Sequence, residues 1–165
     1  MQIRPARPED AETIAAIVVE ADARFGEFAP PGWHAQGFDA ELEHARHAFA
    51  APDRWIAVAV VDDEVVGYVT LTSASQTRMR SDEPGLAHVG RLFVRPYHWG
   101  SGVATALLAH AVAEAAACGY RQMRLFTPSV HARARRFYER EGWRAVAERW
   151  DSKLGLNVSE YRRAL

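Results

Sequence analysis

Cysteine and lysine are nearly absent from this 165-residue sequence, where Cys118 and Lys153 each stand alone. A lone cysteine excludes an intrachain disulfide framework and makes the cytoplasm the expected compartment. With one lysine, arginine supplies the rest of the 20 basic residues, a bias that reads as GC-rich codon usage. Charge of one sign is lacking too, because 21 acidic residues bring the net charge to −1. No global field then favours nucleic acid or an anionic membrane as partner. Met1–Pro5 has no apolar signal core, and no apolar run reaches bilayer length. Repeats, linkers and low-complexity tracts are missing as well, so residues 1–165 are expected to form a single domain.

What is present centres on Gly90–Leu108. Leu86–Val94 is rich in apolar residues and stops short of Pro96, which reads as a buried strand and its end. From Val103 onward, apolar residues at Val103, Ala104, Leu107, Leu108, Ala111, Val112 and Ala115 form a helical stripe. Gly100-Ser101-Gly102 lies between them, with little side-chain bulk to keep a ligand from its amides. A strand, a glycine turn and a helix N-terminus make an anion site, since unpaired amides and the helix dipole converge there. A nucleotide P-loop would need lysine directly after the last glycine, and Lys153 is far away. A dinucleotide fingerprint would need a third glycine where Thr105 stands.

The rest of the chain alternates clearly. A short strand over Met1–Arg4 precedes a helix entered at Pro8-Glu9-Asp10, with Ile14, Ile17, Val18 and Ala21 on one face. Phe25–Phe38 is a proline-stiffened aromatic loop, followed by an amphipathic helix near Asp39–Phe49. Trp55–Val61 and Val65–Thr72 form a hairpin around Asp62-Asp63-Glu64, and Ser73–Gly85 is polar and irregular. The central helix closes at Gly119. A strand over Met123–Thr127, a helix from Ser129 or His131 to Gly142, and strands Trp143–Trp150 and Val158–Arg163 complete the chain.

The Val-x-Pro strand end followed by Gly-Ser-Gly-Val-Ala and Leu107-Leu108 resembles the pyrophosphate loop of the GNAT superfamily of acyl-CoA-dependent N-acetyltransferases. Phe137-Tyr138-Glu139-Arg140-Glu141-Gly142-Trp143 is similar to a second motif of that family, with Trp143 in place of Phe. The resemblance spans nearly the whole chain. It implies an α+β fold: a mixed, mostly antiparallel seven-stranded sheet with helices on both faces. It also implies acetyl-CoA as cosubstrate, no metal, and transfer of the acetyl group to a primary amine by direct attack in a ternary complex. Backbone groups of Leu92, Phe93 and Val94 would meet the pantetheine arm. The turn Trp99, Gly100, Ser101, Gly102, Val103, Ala104 and Thr105 would hold the pyrophosphate, with His131 and Arg133 near the cofactor.

Within the same resemblance, Tyr138 would protonate the leaving thiolate, although a core aromatic role is its alternative. The base is less defined: His88 in the central strand is one candidate, Glu83 and Asp82 in the preceding loop are others. Trp99 and His131 depart from the residues usual at those positions. For the acceptor, Phe25, Phe28 and Trp33 offer aromatic faces, with Phe28 and Trp33 pinning the loop to the domain as the alternative; Arg78 and Arg80 offer a site for carboxylate, Asp82 and Glu83 a site for ammonium. Balanced charge favours a small-molecule amine over a basic protein tail. A protein or peptide acceptor, or a non-catalytic acyl-CoA-binding module, is the competing reading. His44 and His47 lack a third ligand and read as a solvated helix face. The basic run from Arg133 to Arg140 reads as a solvated face or as a partner for the adenosine 3′-phosphate. Cys118 reads as a small packed residue. Monomer and homodimer both stay open.

Overall fold

The computed structural model describes residues 1–165. Its strands are β1 (Gln2–Pro5), β2 (Trp55–Val61), β3 (Glu64–Ser73), β4 (Leu86–Val94), β5 (Gln122–Pro128), β6 (Arg144–Asp151) and β7 (Leu156–Ala164). Its helices are α1 (Ala11–Phe25), α2 (Phe38–Ala50), α3 (Val103–Ala117) and α4 (Ala132–Arg140). One 7-stranded sheet runs in the order β1-β2-β3-β4-β5-β7-β6. Only β4 and β5 pair in parallel; every other neighbour is antiparallel. The architecture is α+β, as the sequence predicts.

Period-2 alternation in β2 sorts the two faces. Ile56 and Val58, with Tyr68 of β3, pack against Ile14, Ile17 and Val18 of α1 and Ala45 and Ala48 of α2. Ala57 and Ala59, with Val69 and Leu71, pack against Leu107, Leu108 and Ala111 of α3. Tyr138 of α4 and Trp143 belong to that second core, so α3 and α4 share a face. Small residues let α3 lie close to the sheet. A Cβ on Gly67 would stand 2.9 Å from the Phe93 carbonyl oxygen and 3.1 Å from Leu107. The hairpin between β2 and β3 turns through Asp62 and Asp63 at φ 48 and 64°, the left-handed pair a two-residue hairpin needs.

The decisive irregularity is at Gly90. Thr70 registers with Arg91 but Leu71 with Val89, which leaves Gly90 as a bulge in β4. The Thr70 hydroxyl fills the space beside it, accepting a 3.0 Å hydrogen bond from the Arg91 N–H. A Cβ on Gly90 would lie 2.8 Å from that oxygen, so only glycine fits. β4 and β5 pair from Leu86–Gln122 to Val89–Leu125 and no further. Past the bulge β4 stays with β3, while β5 continues beside β7 to Pro128. The two central strands therefore splay and open a cleft between them. Elsewhere, β6 is an exposed edge strand from Arg144 to Trp150. Cys118, expected to be packed, is exposed at the end of α3. No helix is long and apolar enough to cross a membrane.

Candidate active site

The cleft widens into a groove of about 1200 Å³ that runs from the end of α1 past β4 to α4. Leu92, Phe93 and Val94 line one wall, beyond the point where β5 leaves them. Gly100, Gly102, Ala104 and Thr105 line its far end. Gly100 and Gly102 have φ of 89 and 90°, and Gly102 is the residue from which α3 starts. The first main-chain hydrogen bond of that helix runs from Ala106 N–H to the Gly102 carbonyl. The N–H groups of Gly102, Val103, Ala104 and Thr105 consequently find no main-chain acceptor and point ahead of the helix. Val103 itself is buried in the core and Ser101 is exposed, so these two contribute through backbone alone.

Trp99 closes the turn. Its indole Nε1 donates to the Val94 carbonyl at 2.8 Å, and the Arg133 guanidinium sits 4.6 Å from its ring centroid. Arg133 has no acidic partner, and it lines the groove with Arg136. His131 caps α4: its Nδ1 accepts from the Ala134 N–H at 3.5 Å. Burial, then the Arg133 charge, lowers the His131 pKa and keeps it the neutral acceptor a cap requires. A cap and an unneutralised arginine beside free helix amides are suited to the phosphates of coenzyme A.

Tyr138 reaches the groove from α4 with its ring buried against Phe137, Trp143 and Tyr161. Burial alone raises its pKa, and no hydrogen bond engages its hydroxyl. It stays protonated and free to donate. His88 lines the same groove, on β4 two residues before the bulge. Its Nδ1 is buried without a partner. Burial, followed by the charges of Arg124 and Arg54, lowers its pKa to about 3. The imidazole is a neutral hydrogen-bonding group, and a weak proton acceptor for an ammonium of pKa ~10.

The loop charges expected to recognise the acceptor are already paired within the protein. Glu83 accepts from Arg162 at 2.6 Å and does not line the groove. Asp82 pairs with Arg80 at 2.8 Å on the surface. Arg78 does line the groove, with its guanidinium held by the buried Asp151. The aromatic loop splits in two. Trp33 lines the groove, whereas Phe28 turns aside to pack against Phe25 at 5.1 Å and His131 at 5.2 Å. Phe28 thus ties the α1–α2 loop to α4 and corrects its assignment as an acceptor contact.

Three groove residues escaped the sequence reading. His44 turns inward instead of facing solvent, and burial lowers its pKa to about 4. Asp22, in the last turns of α1, is raised to about 6, first by burial and then by the Glu41 charge. Arg54, just before β2, is lowered by burial and by Arg91. The same groove holds a satisfied pair: Arg91 donates to the buried Glu41 at 2.5 Å. No spacing rule marks these positions, because each looks like the polar face of an amphipathic element.

Sheet order, bulge and glycine turn together define an acetyltransferase fold. The profile of the Acetyltransferase (GNAT) family matches residues 18–143, and the chain belongs to that family. An uncharacterized N-acetyltransferase of Mycobacterium tuberculosis is 31% identical over 141 residues, 82% of this chain and 83% of that relative. A crystal structure assigned to a GNAT-family acetyltransferase of Desulfovibrio desulfuricans superimposes with a TM-score of 0.75 at 25% identity, over 99% of this chain and 98% of that one. YncA of Salmonella typhimurium, solved with its cofactor acetyl-CoA, gives a TM-score of 0.74 at 20% identity, over 100% of this chain and 94% of its own.

Proposed function

We propose that this chain is an acetyl-CoA-dependent N-acetyltransferase that acylates an amine of a small molecule by direct attack. The observation that carries the reading is the splay beyond Val89, which leaves the Leu92–Val94 edge unpaired in the groove that Tyr138 and the amides ahead of α3 also line. The fit to acetyl-CoA rests on chemistry: free N–H groups and Arg133 for phosphates, a bare strand edge for the amides of a pantetheine arm. The cosubstrate supplies a thioester. The chain supplies main-chain donors for the carbonyl oxygen as negative charge grows on it, which is where electrostatic stabilisation counts most. The amine lone pair forms the C–N bond, the C–S bond breaks, and Tyr138 gives its proton to the departing sulfur. Tyr138 is then reprotonated from solvent, and the amine's surplus proton leaves along the groove.

A competing reading is acyl-CoA binding without turnover. It draws on the capture of Glu83 by Arg162 and the depressed pKa of His88, which leave neither as a strong base. Release of free thiol from acetyl-CoA across an amine panel decides between them. Amine-dependent release supports the enzyme; tight binding with no release from any amine overturns it. Calorimetry against ATP and NAD tests the cofactor, and preference for either would overturn the acyl-CoA assignment.

A further inference from the structure

The charged groups on the acceptor side of the groove fall into two kinds. Arg91 is held by Glu41 and Arg78 by Asp151, so each of these pairs is neutral and closed. Asp22 and Arg54 are the exceptions: neither side chain makes a hydrogen bond or an ion pair, although both are partly buried. A charge partly withdrawn from water without a partner costs some stability, and an opposite charge on a ligand offsets that cost. The two line the groove, as do Arg91 and Glu41, and both feel the Arg91 charge. Asp22 also feels Glu41 and lies on the α1 turn covered by Trp33, whose ring would stand 3.4 Å from a Cβ on Gly26. Arg54 lines the same groove, and its charge acts on both His44 and His88. Those two histidines stay neutral at pH 7, and do not compete with it as cations. Tyr68 faces the same cluster through its contact with Arg91, and Lys153 borders it from the β6–β7 loop.

We propose that the acceptor is an amino carboxylate: the guanidinium of Arg54 takes its carboxylate and the carboxylate of Asp22 takes its ammonium. This rests on the acetyl-transfer reading above. A simple alkylamine would leave Arg54 without an anion, and a cationic peptide tail would meet Arg54 as a like charge. A planar guanidinium matches a carboxylate through parallel N–H···O bonds, which gives orientation as well as attraction. Asp22 meanwhile takes the nitrogen as an ammonium in the groove that Trp33 also lines, and the ammonium gives one proton to water before its lone pair attacks. Because its own pKa is about 6, Asp22 is a carboxylate at neutral pH and loses that charge in mild acid. Acceptor kcat/KM should therefore fall below about pH 6 through a limb belonging to the free protein.

The test uses matched compounds: a series of amino carboxylates of increasing chain length, and for each its carboxamide and its decarboxylated amine. Thiol release from acetyl-CoA is measured with wild type, Arg54→Met and Asp22→Asn. Wild type should prefer the best amino carboxylate over its decarboxylated amine by about tenfold or more in kcat/KM, the worth of a charged hydrogen-bonded contact. Arg54→Met should collapse that preference toward one. Asp22→Asn should raise acceptor KM, leave the KM for acetyl-CoA as it was, and remove the acidic limb of the profile. Wild type favouring the decarboxylated amine, or a preference that survives Arg54→Met, overturns the proposal. If no amine is turned over, the enzymatic reading fails instead, and calorimetry with the same matched pairs still reads the preference. Thermal melts guard against misfolding, since removing a partnerless charge should not lower the melting temperature.

Discussion

The indole N–H of Trp99 donates a 2.8 Å hydrogen bond to the carbonyl oxygen of Val94. This contact spans the turn that leads from β4 into α3, and Arg133 covers the ring from the α4 side. A position that departs from the family's usual residue thereby fastens three elements around the groove. Trp99→Ala should cost about 1–2 kcal/mol, one hydrogen bond plus one cation–π contact. It should also weaken acetyl-CoA several-fold while kcat stays close to wild type. Thermal melts and cosubstrate titration check both effects.

Gly102→Asp should abolish acetyl-CoA binding. The residue has φ 90°, and a Cβ there meets no atom within 4 Å, so the substitution strains the backbone without a clash. Strain alone amounts to roughly 1–3 kcal/mol. Gly102→Ala carries the same strain with no charge, and should bind weakly where Gly102→Asp does not bind. Calorimetry on the pair separates electrostatics from folding.

Tyr138→Phe removes one hydroxyl and keeps a ring packed 5.2 Å from Phe137 and 6.4 Å from Trp143. The melting temperature should hold. The expected loss is about 10²-fold or more in kcat, as for a missing general acid, with little change in KM for acetyl-CoA. Unchanged turnover would return Tyr138 to a packing role.

Stability should decline as the pH falls below about 6.5. His88 and His44 have folded pKa values of about 3 and about 4, below the unfolded value of 6.5. The unfolded chain therefore takes up protons first, and acid favours it. Asp22 opposes this: at about 6, against 3.8 unfolded, it binds its proton in the folded state and regains stability between those values. Asp22→Asn should thus be more stable than wild type at pH 8 and lose stability more steeply toward pH 4. Denaturant midpoints across that range provide the check.

The sequence carried the scaffold and the cofactor end of the groove, for identifiable reasons. Left-handed backbone at Gly100 and Gly102 and the polar hairpin turn at Asp62-Asp63 are local demands that residue type announces. Apolar periodicity likewise announced α3 and the central strands. The acceptor side was illegible because its logic is pairing across long stretches of chain. Glu83 and Arg78 look available until Arg162 and Asp151, on β7 and β6, are folded against them. Asp22 and Arg54 look like solvated charges until α1 and the start of β2 are brought over the groove. Phe28 was readable as an aromatic needing a partner, but that His131 provides one depends on α4 lying beside the loop.

The short pairing between β4 and β5 has a mechanical consequence. The sheet consists of two leaves, β1 to β4 and β5 to β6, joined through registers that end at Val89 and Leu125. Beyond that seam the main-chain groups of Leu92–Val94 face a gap where another strand would normally stand. An extended ligand bearing amides can enter as the missing strand and knit the leaves together, so occupancy and cohesion become one equilibrium. Each tenfold excess of such a ligand over its dissociation constant then adds about 1.4 kcal/mol to the folded state. Slowed amide exchange should extend on both sides of the seam, into β5 and β7 as well as the strand that is touched.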